Sequence, residues 1–130
     1  MSVRAEVLNI LERVFRQHGF ASLLLRKANI SKEEMGLASE IVYGTIRNKT
    51  LLEEQWRPFT KHVKPRVAAL LNMSVYQLLF LDSIPSYALI FEAVELAGKS
   101  EKEFVNAVLR KVQEHGLRKP KEIQLKNLRY

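Results

Sequence analysis

One stretch limits what this chain can become: Lys64 to Asp82, KPRVAALLNMSVYQLLFLD. Between Val67 and Leu81, twelve of fifteen residues are apolar, and only Asn72, Ser74 and Gln77 interrupt them. A helix that is apolar on nearly every side must be covered on nearly every side. The run is shorter than the roughly 20 apolar residues of a membrane span, and three polar positions break it further. The pattern therefore predicts a central helix wrapped by others. Pro65 fits its first turn, where a missing N–H leaves nothing unpaired.

The flanking segments supply the wrapping. Residues 2–18 predict an amphipathic helix capped by Ser2, with Val7, Leu8, Leu11, Val14 and Phe15 at helical spacing and Gly19 as its stop. A shorter helix follows over about 20–28, with Leu23, Leu24 and Leu25, ending in Arg26-Lys27. Ser31 and Glu34 form a capping-box signature, opening a helix with Met35, Ala38, Ile41, Val42, Thr45 and Ile46 along one stripe. Gly44 within it predicts that another backbone passes close by. Residues 49–57, stopped by Pro58, carry Leu51, Leu52 and Trp56. After the central helix, Ser86 offers an N-cap for a helix over 86–97 with Leu89, Ile90, Ala93, Val94 and Ala97 inward. Ser100 with Glu103 repeats the capping-box spacing and opens 101–114, with Phe104, Val105, Val108, Leu109 and Val112 inward and His115-Gly116 as its close. No segment alternates with period two for long enough to make a strand. The expected fold is all-α: about seven helices around the central one at 64–82.

A chain of 130 residues supports one domain with one core. It has no cysteine, hence no disulfide and no thiolate chemistry. The first twenty residues lack the apolar run of a signal peptide, so a cytoplasmic protein is expected. The net charge is +7. Residues 117–130 hold five basic side chains (Arg118, Lys119, Lys121, Lys126, Arg129) against Glu122, so +4 sits there and +3 on the preceding 116. The expected organisation is a helical domain over 1–116 and a basic linker or tail over 117–130.

The chemical inventory argues against catalysis. There is one aspartate, Asp82, and the three histidines, His18, His62 and His115, are 44 and 53 positions apart. None pairs at the i, i+4 spacing of metal-binding helices. Carboxylate pairs such as Glu33-Glu34 and Glu101/Glu103 lie at helix starts, where acidic residues stabilise the helix anyway. Cations are more suggestive. Arg4, Arg13, Arg16, Arg26 and Lys27 give the first 30 residues a net +3. Arg47 and Lys49 end the third helix, Lys61, His62, Lys64 and Arg66 surround the start of the central one, and Arg110-Lys111 sit on the last. Single-stranded RNA is held by such cations plus aromatics that stack on bases. The candidate stackers are Phe20, Tyr43, Trp56, Phe59 and Tyr87. By composition alone the plainer reading is favoured: these aromatics are core or half-buried residues and the cations a solvated surface.

Three runs decide between those readings: EIVYGTIRN at 40–48, YQLLFLDSIPSYALIFEAVELAGK at 76–99 and FVNAVLRK at 104–111. With LLLRKA at 23–28, they resemble the NusB-like RNA-binding domain. More narrowly, they are similar to the N-terminal domain of Sun/RsmB-type small-subunit rRNA cytosine-5 methyltransferases. The resemblance spans essentially the whole chain. It implies two packed helical sub-bundles and RNA binding without catalysis. In that family a separate downstream domain binds S-adenosylmethionine and a cysteine attacks the base; this chain has no cysteine and no room for such a domain, so neither the reaction nor a cofactor is expected here. The resemblance places Leu128-Arg129-Tyr130 where family members run on into the methyltransferase part, so a truncated product is expected. The family's usual Asn before Glu-Ala-Val is Phe91 here. Asn106 matches the family's FVN and is expected to bond backbone between helices.

The leading expectation is a module that helps a methyltransferase, present in cis, to hold small-subunit rRNA. Arg4, Arg26, Lys27, Arg47, Lys49, Arg110 and Lys111 are the expected phosphate contacts, with no metal, cofactor or membrane involved. The alternatives are an antitermination factor that binds RNA with a ribosomal protein, and a protein-docking domain that touches RNA little.

Overall fold

The computed structural model describes residues 2–115. The expected tail at 117–130 and the stop at Gly116 lie outside the described residues. Within them are seven α-helices: α1 (Val3–Gln17), α2 (Ala21–Lys27), α3 (Lys32–Arg47), α4 (Lys49–Trp56), α5 (Pro65–Phe80), α6 (Ser86–Leu96) and α7 (Lys102–Glu114). Short 3₁₀ turns follow α4 (Arg57–Phe59) and precede α7 (Lys99–Glu101).

α5 is the central helix. It starts at Pro65, and eleven of its sixteen residues are buried, so almost no face is left for solvent. It packs against α1, α3, α4, α6 and α7. Apart from a small contact between α3 and α4, the other contacts fall into two groups. α1, α2 and α3 pack together on one side, and α4, α6 and α7 on the other. These are two sub-bundles that share α5.

The three uncharged polar residues of α5 lie in the core, and each has a partner. Asn72 Oδ1 accepts from Trp56 Nε1 at 2.7 Å, and its Nδ2 donates to Glu53 Oε2 at 3.2 Å. Ser74 Oγ donates to the Leu70 carbonyl at 2.7 Å. Gln77 Nε2 donates to the Met73 carbonyl at 2.9 Å, and its Oε1 accepts from Arg4 Nε at 2.6 Å. Buried polar groups without partners would each be destabilising, and here three of the five bonds tie α5 to a neighbouring helix.

Local expectations meet the structure unevenly. Ser2 and Ser31 cap α1 and α3 through Ala5 N and Glu34 N. The stop of α1 is carried by His18, which takes the left-handed conformation at φ 54°, rather than by Gly19. Ser86 is not an N-cap: Pro85 holds that position in an extended conformation, and Ser86 is the first helical residue. Ser100 caps nothing either. The chain tightens into a 3₁₀ turn after Gly98, which places Ser100 inside the turn instead of in the extended backbone that a cap requires. Gly44 faces a ring, not a backbone: a Cβ there would overlap the Tyr76 side chain. Asn106 is half-buried at the surface of α7, where its Oδ1 accepts from Arg110 Nε at 3.1 Å. It makes no bond to backbone between helices among the described residues.

Candidate nucleic-acid interface

Two surface grooves hold some of the candidate side chains. The first lies between α1 and α2. α2 is short, and Leu24 and Leu25 anchor it in the core, so its last turn turns Arg26 and Lys27 to solvent. Cations in a last turn also suit the helix dipole. Lys27 and Arg13 of α1 both line a groove of about 210 Å³, together with Asn9, Ile10 and Glu6. Among the described residues, Arg13, Arg26 and Lys27 form no ion pair. At the back of α1, Arg66 of α5 donates to Asn9 Oδ1 at 3.0 Å and to Glu12 Oε1 at 2.9 Å, while Arg16 holds the other Glu12 oxygen at 3.3 Å. Glu12 is thus neutralised from two sides.

Arg47 and Lys49 flank Asn48, which closes α3 and opens α4. Lys49 is therefore the first residue of α4 and not the end of α3. Its Nζ is 3.0 Å from Glu53 Oε2 and 5.6 Å above the Phe15 ring. Burial pushes the Glu53 carboxyl up, but bonds from Lys49 and Asn72 and the charges of Lys49 and Arg57 outweigh it. Glu53 is held below its ordinary value. Burial, with the Glu40 charge, moves the Tyr76 hydroxyl the other way, above its ordinary value, against the opposing charge of Arg47.

The second groove lies between α6 and α7 and is larger, about 630 Å³. Tyr87, Ile90, Phe91 and Val94 line it from α6, Asn106 and Arg110 from α7. Glu92 borders it and is paired with Arg4 of α1 at 3.6 Å. Arg4 is thus bound on two sides, to Gln77 and Glu92, and its side chain is 11% exposed. The other six expected cations, Arg26, Lys27, Arg47, Lys49, Arg110 and Lys111, are exposed. They occupy the α2 end, the α3–α4 junction and α7, and do not form one cluster.

The aromatics sort clearly. Trp56 is fully buried and bonded to Asn72, so it cannot stack on a base. Phe59 stacks on His115, with ring centroids 5.2 Å apart, and Tyr43 is half-buried. Phe20 and Tyr87 are exposed, as is Phe91, which the residue pattern alone did not single out. Its signal was present: Tyr87 and Phe91 are four apart, off the inward stripe of Leu89, Ile90 and Ala93. Among the described residues no group of His, Cys, Asp and Glu side chains is placed to hold a metal ion.

The NusB family profile matches residues 1–114. The chain belongs to the NusB family. This NusB domain is 40% identical to the probable ribosomal RNA small subunit methyltransferase B of Bacillus subtilis, over 89% of its own length. It spans 28% of that protein's length, and the same share of a Synechocystis relative of the same description. The matched part is the NusB-like N-terminal portion, not the catalytic one. The domain is also 36% identical to the transcription antitermination protein NusB of Bacillus licheniformis, over 60% of this chain and 67% of that protein. Its fold matches T. maritima NusB with a TM-score of 0.78 at 23% identity, covering 92% of each chain. No described helix is long and apolar enough to cross a membrane.

Proposed function

We propose that this NusB domain is a non-catalytic RNA-holding module, and that it presents small-subunit ribosomal RNA to an S-adenosylmethionine-dependent cytosine methyltransferase on the same polypeptide. The observation that carries the reading is the α1–α2 groove, which Arg13 and Lys27 line from two helices. Cations gathered in one groove from two helices suit a phosphodiester strand. The methyltransferase relatives supply the context. In this reading Arg26, Lys27, Arg47, Lys49, Arg110 and Lys111 contact phosphates, with Arg13 added, while Arg4 braces α1 against α5 and α6. Residues 1–116 are the working unit, 117–130 a basic linker, and the setting is cytoplasmic.

The test is fluorescence anisotropy with a labelled single-stranded fragment of small-subunit rRNA over a range of salt. Log affinity should fall linearly with log salt, by about 0.7 per phosphate neutralised on a single strand. Arg13→Gln and Lys27→Gln should each weaken binding and reduce that slope by about 0.7. Binding that ignores salt, or none at low salt, refutes the proposal.

The similarity to antitermination NusB favours a second reading, an RNA-binding factor that works with a ribosomal protein. A stable complex with such a protein, recovered by pull-down with purified components, distinguishes it.

A further inference from the structure

We propose that the α6–α7 groove is a base-stacking subsite for single-stranded RNA. Tyr87 and Phe91 form its platform and Arg110 holds the neighbouring phosphate. The inference rests on the RNA reading above and adds where a base sits.

Tyr87 is 75% exposed and Phe91 64%, while Leu89, Ile90 and Ala93 of the same helix are buried. The fold makes little use of these two rings. Neither stacks on another aromatic among the described residues. They are four positions apart, so they stand on one face about 5–6 Å apart at Cβ. Side chains that expose their π-faces side by side suit successive bases, because every base has a face to stack. Ile90 and Val94 line the same groove and give it apolar surface.

The rim supplies what an apolar slot alone would lack. Asn106 Oδ1 accepts from Arg110 Nε, which leaves its amide N–H groups as donors for a base edge. Arg110 spends only its Nε in that bond and has no carboxylate partner among the described residues. Glu92, the groove's carboxylate, is matched by Arg4 at 3.6 Å. Counting Arg4, Glu92 and Arg110, the groove carries +1, which suits a polyanion. A wholly aliphatic cleft without an unpaired arginine would have pointed to a protein helix instead.

The experiment uses the full chain and a short fluorescein-labelled single-stranded RNA of mixed sequence. Phe91→Ala and Tyr87→Ala alter exposed side chains and should leave folding intact, which circular dichroism checks. Each should weaken binding by about 5- to 150-fold without changing the salt slope, because no phosphate contact is lost. On a strand with abasic sites, wild type and variants should bind alike. Unchanged affinity in the double variant, while Lys27→Gln still weakens binding, overturns this subsite and leaves the RNA reading standing. Absence of wild-type binding at low salt overturns both. If the wild type self-associates in sedimentation, and Phe91→Ala abolishes that with RNA affinity unchanged, the groove is a docking face for a second copy and the inference falls.

Discussion

Gly44→Ala should destabilise the domain even though it improves helix propensity. Alanine in mid-helix is favoured over glycine by about 1 kcal/mol. Here the added methyl group would overlap the Tyr76 ring. Tyr76 is 4% exposed and stacked on Phe80, with ring centroids 4.8 Å apart, so it has little room to move aside. Overpacking a filled core costs typically about 1–3 kcal/mol, and an overlap this deep belongs at the upper end. After the propensity gain, a net loss of about 2 kcal/mol remains, a drop in melting temperature of roughly 5–15 °C. Thermal unfolding followed by circular dichroism, on wild type, Gly44→Ala, Tyr76→Leu and the double variant, measures it. Tyr76→Leu removes the ring atoms that overlap. In that background the glycine replacement should become stabilising by about 1 kcal/mol, a coupling of about 3 kcal/mol. Gly44→Ala as stable as wild type, or equal effects in both backgrounds, would refute the packing argument.

Asn72→Leu should cost about 1–3 kcal/mol, because it leaves the buried Trp56 N–H without an acceptor. Urea unfolding followed by circular dichroism reads it out, and adding Trp56→Phe should recover part of the loss. Glu53 gives a pH signature. Its folded value is lowered, so its contribution is fully present above the ordinary carboxylate range and is lost as pH falls through the lowered folded value. Urea midpoints taken from neutral to acid pH should therefore fall less steeply in Glu53→Gln than in wild type; parallel curves would contradict the assignment.

The central helix was legible because a run apolar on every side has one destination, and Pro65 marks where it starts. Its polar interruptions were harder. Asn72 is an ordinary surface residue in a one-dimensional reading, and only the approach of α4 makes it the partner of Trp56. The same contact removes Trp56 from the stacking candidates. Capping-box spacing at Ser100 misled because spacing does not specify backbone conformation, and the 3₁₀ turn after Gly98 uses that serine otherwise. For the cations, sequence gives their number but not their company. Arg4 and Arg110 look alike in the chain, yet one is bound on two sides and the other is open. The apolar groove at Tyr87 and Phe91 was visible in principle as a second stripe on α6, opposite the buried one.

α5 is common property of both halves of the molecule. Its side chains are keyed to α4 through Asn72 and to α1 through Gln77, so a turn of this helix about its axis would strand donors on both sides at once. Neither half can therefore melt while the other persists. Amide hydrogens of α1 and α7, at opposite ends of the chain order, should exchange with the same opening free energy.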